Sequence, residues 1–220
     1  MLPFELVEFP DPSASDKRGL VCIGGDLHIN TLISAYSVGI FPWFNPDEPI
    51  LWWCPDPRFV LFPKEIKISK SLRKELKKKE LSVTFDTCFD QVITHCAHIK
   101  RKNQMGTWIT DEMIEAYVNL HQFGYAHSVE VWKNDELIGG LYGVAMGQIF
   151  FGESMFSKQA NASKVAFVYL CNKLVEANYT MIDCQIHTGY LESFGARFIE
   201  RDHFLSQIAQ NRTLWSRSKW

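Results

Sequence analysis

Residues 126–154 read AHSVEVWKNDELIGGLYGVAMGQIFFGES and contain three strand-like runs in close succession. The runs cover 126–132, 137–146 and 148–154 and are rich in β-branched and aromatic residues, which favour strands. Asn134-Asp135 and Gly147 separate them, and both are turn signals. The sequence therefore predicts three successive strands joined by hairpins.

Helices and single strands flank these hairpins. Residues 111–123 have the features of a helix, with Thr110 as N-cap, acidic residues in the first turn and Gly124 after the last turn. The other predicted elements are a basic helix from Ser69, a strand at 82–85, helices at 88–100 and 162–176, strands at 180–184 and 196–200, and a helix near 203–209. This order predicts an α/β (α+β) fold, a mixed sheet with helices on both faces.

The predicted arrangement is similar to that of the GNAT acyltransferases. In that fold the helix after the fourth strand begins at a Gly-rich loop, whose backbone N–H groups hold the pyrophosphate of coenzyme A. The equivalent stretch in this chain, SKQANASK at 157–164, contains no glycine. The sequence therefore disfavours an ordinary CoA-dependent acetyltransferase.

The first sixty residues differ from the rest because Pro, Trp and Gly are concentrated there. A short helix is expected near 31–38, closed by Gly39. From Pro63 onward the pattern of helices and strands becomes regular. We predict a small N-terminal domain at 1–62 and a GNAT-like catalytic domain at 63–220.

Bulk composition narrows the class of protein. The 220 residues are 46% apolar, which permits a substantial core. No stretch approaches the roughly 18 consecutive apolar residues of a membrane span, and the acidic, Pro-rich start MLPFELVEFPDP is unlike a signal peptide. The six cysteines include no C-x-x-C pair, so buried thiols are expected. We predict a cytoplasmic protein without a membrane partner.

Positive charge is concentrated in one segment. Residues 64–79 hold eight Lys or Arg against two Glu, although the whole chain has a net charge of −2. A helix from Ser69 would place Leu72 and Leu76 on one face and a basic ridge on another. The ridge consists of Lys70, Arg73, Lys74 and Lys77. A solvated helix face is the alternative, but the spacing suits a polyanion such as RNA.

Polar side chains stand at the ends of two predicted strands. Glu153 ends the third hairpin strand, and Asp183 and Gln185 end the strand at 180–184. Ligands bind beyond strand ends in open α/β sheets. Because a strand alternates its faces, Asp183 and Gln185 are expected on one side and Cys184 on the other. Taken singly, each residue is more often structural than catalytic.

A set of short sequence motifs, taken together, favours a catalytic role for these residues over a structural one. They are IGGDL at 23–27, AYSVGIFPW at 35–43, ILWWCPDPR at 50–58, TWI at 107–109, AHSVEVW at 126–132, IGGLYGV at 138–144, FGESMFS at 151–157, NASK at 161–164 and IDCQ at 182–185. In this order the chain closely resembles the leucyl/phenylalanyl-tRNA–protein transferases. The resemblance extends over nearly the whole chain, and only the part after about Gln207 is uninformative.

The resemblance implies an enzyme that takes leucine or phenylalanine from its tRNA and joins it to an N-terminal Arg or Lys of an acceptor protein, marking that protein for degradation. We predict a monomer that needs no cofactor and no metal. The resemblance also implies roles for individual residues. The catalytic positions are Asp183, Gln185 and Glu153; Trp43 and Trp108 hold the terminal adenosine; and Leu141, Phe150 and Met155 form the side-chain pocket. Apart from the resemblance, Lys158 and Lys164 flank the start of the helix at 162–176, and we expect them to join the basic ridge in binding RNA. Core packing is the alternative reading for the apolar residues.

The chemistry needs only modest base strength. The amine of the acceptor has a pKa near 8, so roughly a tenth of it is already neutral at pH 7. Our hypothesis is that Asp183 and Glu153 orient this amine and receive its proton, while Gln185 positions it by hydrogen bonding. The alternative role of the two carboxylates is to hold the cationic Arg or Lys side chain of the acceptor, and the sequence leaves both roles open.

Two features depart from the family or invite another reading. Family members commonly carry Asn and His where this chain has Thr188 and Tyr190, and His187 is a substitute candidate. The group Cys88, His95, Cys96 and His98 matches no zinc spacing. An acyl-CoA-dependent acetyltransferase and a non-enzymatic tRNA-binding module are the rival functions.

Overall fold

Strands and helices follow one another along the chain largely as predicted. The computed structural model describes residues 5–99 and 108–211, and we number the elements within these ranges. The strands are β1 (Leu20–Ile23), β2 (Phe41–Pro42), β3 (Leu51–Trp53), β4 (Arg58–Leu61), β5 (Leu81–Phe85), β6 (Ala126–Lys133), β7 (Glu136–Met146), β8 (Ile149–Ser157), β9 (Met181–Asp183) and β10 (Arg197–Ile199). The helices are α1 (Ile29–Ser37), α2 (Lys70–Glu75), α3 (Phe89–His98), α4 (Asp111–Gln122), α5 (Ala162–Glu176), α6 (Gly189–Glu192) and α7 (Arg201–Asn211).

The three strands β6, β7 and β8 form the predicted antiparallel hairpins. Asn134 and Asp135 both adopt positive φ, 49° and 61°, which is the requirement of the tight turn between β6 and β7. Gly147 has φ 61° in the turn between β7 and β8. Local turn chemistry thus sets the register of the hairpins. The prediction of three successive strands joined by hairpins is confirmed.

A mixed seven-stranded sheet is built around these hairpins, in the order β10-β4-β9-β8-β7-β6-β5. Only the β8–β9 pair is parallel, and helix α5 makes the crossover between these two strands. Helix α5 packs on one face of the sheet, against β6, β7 and β8, while α3 packs against the same strands and α4 against β6. Side chains of β7 alternate between two apolar clusters, with Leu141 and Ala145 in one and Tyr142 and Val144 in the other. The predicted mixed α/β class is confirmed.

The N-terminal part of the chain contributes a second, three-stranded sheet in the order β1-β3-β2. Strand β4 precedes the predicted boundary at residue 62, yet it lies between β10 and β9 in the large sheet. A cut at that boundary would therefore separate β4 from the strands with which it pairs. The division into domains at 1–62 and 63–220 stays a prediction.

The basic helix is shorter than predicted. Ser69 caps it by accepting a hydrogen bond from the backbone N–H of Leu72 (3.2 Å), and the helix ends at Glu75. Lys77 therefore lies beyond the helix, and the predicted four-residue helical ridge is wrong in this respect. Leu72 of α2 packs into the apolar cluster that contains the buried side chains of α5. The basic side chains of α2 face solvent. None of the helices in the described ranges is long and apolar enough to cross a membrane.

Candidate active site

A cavity of about 640 Å³ opens near the point where the parallel pairing of β8 and β9 ends, at Phe151 opposite Asp183. Strands β7, β8 and β9, helix α5 and the segment after β9 all contribute to its wall. All eight residues predicted for catalysis and for substrate binding line it. They are Glu153, Asp183, Gln185, Trp43, Trp108, Leu141, Phe150 and Met155.

Glu153 enters the cavity because of an irregularity in the β7–β8 ladder. Gly143 pairs with Gly152, whereas the preceding residue Tyr142 pairs with Ser154, so Glu153 has no partner on β7. Such a β-bulge re-aims the side chain of the extra residue. A Cβ on Gly143 would lie 2.2 Å from the carbonyl oxygen of Phe151, so only glycine fits opposite the bulge.

We expect Gly143→Ala to lower the free energy of unfolding by about 3 kcal/mol, because the methyl group forces the two strands apart. Gly152→Ala is the matched control, since a Cβ there meets nothing closer than 3.6 Å, and its effect should stay below about 1 kcal/mol. Chemical denaturation of both variants measures the difference. Equal midpoints would contradict the close approach at Gly143.

The carboxylate of Glu153 accepts hydrogen bonds from three side chains. The hydroxyl of Tyr36 donates to Oε1 (2.8 Å), the hydroxyl of Tyr117 to Oε2 (3.2 Å), and Nε2 of Gln185 to Oε1 (3.3 Å). Burial raises the pKa of Glu153 to about 7, although the two tyrosine hydroxyls oppose that rise. A carboxyl with this pKa exchanges protons near neutral pH.

The sequence did not single out Tyr36 and Tyr117. Both are buried, one on α1 and one on α4, and their hydroxyls also bond each other. Burial, followed by the Glu153 carboxylate, raises the pKa of both hydroxyls well above 10, so they remain donors. Tyr36 lies inside the string AYSVGIFPW, but no local signal marks Tyr117, because its partner is 36 residues away.

Asp183 is engaged by an arginine that the sequence analysis also missed. Arg58 on β4 donates from Nε to Oδ1 (2.8 Å) and from Nη2 to Oδ2 (2.7 Å), and both side chains are fully buried. The backbone N–H of Gln185 donates to Oδ1 as well (3.0 Å). Both oxygens of Asp183 are thus occupied by donors from the protein itself, so the geometry counts against Asp183 as the acceptor for a proton from the substrate.

Gln185 does not continue the strand alternation on which its predicted orientation was based. Strand β9 ends at Asp183, and Gln185 adopts a left-handed backbone with φ 57°. This turn, and not alternation, directs its amide toward Glu153. The contact is with Glu153, and the role predicted for Gln185 in positioning the amine stays a prediction.

The rest of the cavity wall is largely apolar. Trp43 is 41% exposed beside Trp53, with the two ring centroids 6.1 Å apart. Leu141 and Met155 are cross-strand partners, and Phe150 is fully buried in the same cluster as Leu141. Aromatic faces and an apolar pocket thus lie in one cavity with the Glu153 carboxylate.

The start of α5 is closed by the chain itself. The N–H of Ala162 donates to the carbonyl of Gln159 (3.2 Å), and the N–H of Ser163 donates to Ser157 Oγ (3.2 Å). Two backbone donors at this helix start are therefore already engaged. Of the two flanking lysines, Lys158 is exposed and Lys164 is half-buried with Nζ 6.0 Å from the Tyr190 ring centre.

The residues that depart from the family pattern lie at the cavity wall. Thr188 caps α6 by accepting from the N–H of Leu191 (3.2 Å), and the Tyr190 hydroxyl bonds Ser163 Oγ (3.1 Å). His187 pairs with Glu192 at 3.0 Å and does not line the cavity. Within residues 5–99 and 108–211, no three His, Cys, Asp or Glu side chains form a group that could hold a metal ion.

Comparison of the amino-acid sequence with known families gives two matches. Residues 60–209 match the family described as leucyl/phenylalanyl-tRNA protein transferase, and residues 25–56 match its N-terminal domain. The chain belongs to the leucyl/phenylalanyl-tRNA protein transferase family. As a member, it is an aminoacyltransferase, and the family predicted from the sequence strings is confirmed.

The sequences of individual relatives are similar to this chain over most of its length. The leucyl/phenylalanyl-tRNA–protein transferase of Syntrophus aciditrophicus is 54% identical over 94% of this chain and 87% of its own length. That of Flavobacterium johnsoniae is also 54% identical, over 92% of this chain and 96% of its own. Among solved structures, L-PGS from Bacillus licheniformis aligns with a TM-score of 0.47 and 12% identity, covering 74% of this chain and 66% of that one.

Proposed function

We propose that the chain transfers leucine or phenylalanine from aminoacyl-tRNA to the N-terminal Arg or Lys of acceptor proteins, which marks them for degradation. The observation that carries this proposal is one cavity in which an apolar pocket adjoins a carboxyl with a pKa near 7. The enzyme is proposed to act in the cytoplasm as a monomer, without a metal or cofactor.

The reaction is the aminolysis of an ester. The α-amine of the acceptor attacks the aminoacyl carbonyl carbon, a C–N bond forms, the C–O bond to the tRNA breaks, and the 3′ oxygen leaves with a proton. Glu153 receives the proton released by the amine and returns it to the departing 3′ oxygen, and Gln185 holds the Glu153 carboxylate in place. Asp183 takes no proton in this scheme because Arg58 already engages it. Orientation of the two substrates supplies most of the acceleration.

The apolar wall provides the site for the aminoacyl end of the tRNA. Trp43 and Trp108 stack with the terminal adenosine, since both line the cavity and neither is fully buried. Leu141, Phe150 and Met155 contact the leucyl or phenylalanyl side chain. A flexible Met suits both a branched and a flat side chain.

Positive side chains outside the cavity are proposed to hold the tRNA backbone. Lys70, Arg73, Lys74 and Lys77 are all exposed, and α2 packs beside α5, the helix whose start lies between Lys158 and Lys164. Phosphate contacts of this kind position the RNA without reading its sequence.

One incubation tests the proposal against its rivals. The protein is given labelled Phe-tRNA, labelled acetyl-CoA and a peptide that begins with Arg, and the peptide is analysed by mass spectrometry. We expect phenylalanine on the peptide N-terminus and no acetyl group. An acetylated peptide would favour the acetyltransferase, and bound tRNA with an unmodified peptide would favour the binding module. A peptide that begins with Asp serves as the control and should stay unmodified.

The Tyr36 hydroxyl should tune the pH dependence of transfer. Its hydrogen bond lowers the pKa of Glu153, so Tyr36→Phe should raise the midpoint of the pH–rate profile by about one unit. The rate at pH 7 should fall about fivefold while the rate at pH 9 stays nearly unchanged. Single-turnover rates with one peptide between pH 5.5 and 9.5 measure the shift, since the amine titrates identically in both enzymes.

Tyr169→Phe is the control for this measurement because Tyr169 is exposed on α5 and lies outside the cavity wall. It should leave the profile unchanged. A Tyr36→Phe profile that falls equally at every pH would mean that the hydroxyl has only a packing role.

A further inference from the structure

The ion pair between Arg58 and Asp183 joins two neighbouring strands at the cavity wall, where Asp183 is one of the lining residues. Both guanidinium bonds are short, at 2.8 and 2.7 Å, and they form the parallel fork that Arg makes with carboxylates. Strands β4 and β9 bring the residues together, with Val60 opposite Asp183. Neither side chain is exposed, so solvent does not compete with the pair.

Aromatic rings hold the guanidinium from two other elements. The Phe41 ring centre on β2 lies 4.8 Å from Cζ of Arg58, and the Phe204 ring centre on α7 lies 4.4 Å away. A planar cation held over aromatic faces is difficult to displace. The position of Arg58 is therefore determined by the small sheet, the large sheet and α7 together.

A chain of hydrogen bonds connects this pair to Glu153. Asp183 Oδ1 accepts the backbone N–H of Gln185, which has the left-handed φ of 57° that non-glycine residues seldom adopt. The Gln185 side chain then donates to Glu153 Oε1. Such a backbone conformation persists only where its surroundings enforce it.

We propose that Arg58 is a positioning residue for the transfer reaction: it holds Asp183, Asp183 holds the Gln185 backbone, and the Gln185 amide orients Glu153. In this arrangement Asp183 and Arg58 form an ion pair with no net charge. Asp183 does not accept the proton of the acceptor amine. The inference rests on the proposed function, because it concerns the group that receives the proton of the acceptor amine.

The charges around Glu153 determine the direction in which each substitution should shift its pKa, and this direction tests the proposal. Tyr36 on α1, Tyr117 on α4 and Gln185 after β9 contact the carboxylate directly, and Asp183 and Arg58 are the charges behind them. Apart from burial and the tyrosine hydroxyls, Asp183 raises the pKa of Glu153 and Arg58 lowers it. Removing one charge of the pair should therefore shift the Glu153 titration in one direction, and removing the other should shift it oppositely.

The experiment compares Asp183→Asn, Arg58→Met and the double variant with the wild-type protein. Transfer of phenylalanine to an Arg-peptide is followed in single turnover between pH 5.5 and 9.5. Asp183→Asn should move the midpoint down by about one pH unit and leave the plateau rate within about tenfold of wild type, because Asn still accepts the Gln185 N–H. Arg58→Met should move the midpoint up by a similar amount, and the double variant should return it toward the wild-type value.

The alternative role for Asp183 predicts a different result. If Asp183 were the proton acceptor, Asp183→Asn would lower the plateau rate by a hundredfold or more, and the remaining rate would follow only the ionisation of the amine. That outcome, or midpoints that move in the same direction in both single variants, overturns the inference.

Arg58→Lys covers the case in which Arg58→Met fails to fold. Lysine keeps the charge but loses the fork, so the midpoint should stay near that of wild type while the plateau rate falls about ten- to a hundredfold. An unchanged plateau rate in folded Arg58→Lys would also overturn the proposal.

A substrate-free measurement separates this inference from the proposed function. The carboxyl band of Glu153 is followed by infrared difference spectroscopy during a pH titration, and it is assigned by its loss in Glu153→Gln. Opposite shifts of that band in the two single variants support the charge pair even if wild-type protein transfers nothing, which is the result that would defeat the proposed function. Transfer in wild type with no shift of the band in either variant defeats only the inference.

Discussion

Glu153→Gln should lower the rate of peptide-bond formation by about a hundredfold, the lower end of what a general base contributes. The expected loss is not larger because an α-amine with a pKa near 8 is partly neutral at working pH. The substitution keeps the size of the side chain and one oxygen that can accept from a tyrosine hydroxyl, but it removes a carboxyl with a pKa of about 7. Single-turnover transfer from Phe-tRNA to an Arg-peptide, at pH 8 and saturating peptide, measures the effect.

The wild-type rate should rise with pH through about 7, and the Glu153→Gln rate should follow only the ionisation of the amine. Binding of Phe-tRNA should be unaffected, because in the proposed reaction Glu153 acts on the acceptor amine. Glu136→Gln is the matched control, since Glu136 is an exposed carboxylate at the start of β7. Retention of the full rate in Glu153→Gln would mean that water, and not Glu153, accepts the proton of the amine.

The same substitution should stabilise the protein at alkaline pH. In the folded state Glu153 has a pKa of about 7, against 4.5 ordinarily, so between these values the folded protein keeps a proton that the unfolded chain has released. The free energy of unfolding therefore falls as pH rises from 4.5 to 7, by about 3 kcal/mol. Glu153→Gln should melt at a higher temperature than wild type at pH 8 and at nearly the same temperature at pH 5. Equal melting differences at both pH values would contradict the raised pKa.

Elements with strong local signals were predicted almost residue by residue. Helix α5 covers 162–176 as predicted, and α4 begins after its Thr110 cap and ends before Gly124. The hairpin strands follow from the positive-φ turn at Asn134-Asp135. The length of α2 was not predictable, because the apolar spacing of Leu72 and Leu76 continues past the point where the backbone leaves the helix.

The candidate site was predicted in part, for a related reason. Strand ends and family strings indicated Glu153, Asp183 and Gln185, which all line the cavity. Arg58 was missed although it ends the string ILWWCPDPR, because its partner Asp183 is 125 residues away and the pairing depends on sheet order. The bulge that re-aims Glu153 was missed too, since a pair of glycines does not by itself indicate a change of register.

Removing the basic side chains of Lys70, Arg73, Lys74 and Lys77 should cause a large loss of affinity for Phe-tRNA. These four side chains are exposed, and three of them project from a helix anchored through Leu72. Their replacement should therefore leave the fold intact. If each contacts a phosphate of single-strand-like RNA, the quadruple alanine variant loses about three units of slope in a plot of log affinity against log salt. Affinity for Phe-tRNA near 0.1 M salt should fall by about a hundredfold.

Matched pairs of substitutions test whether the position of the charge matters. Lys70→Ala with Arg73→Ala removes two charges from α2, and Lys17→Ala with Arg18→Ala removes two from the exposed segment before β1. Only the first pair should flatten the salt dependence, by about 1.4 units. The rate of transfer at saturating Phe-tRNA should stay unchanged in both, because neither pair lines the cavity. Equal losses of affinity in the two pairs would mean that net charge, and not the α2 surface, attracts the RNA.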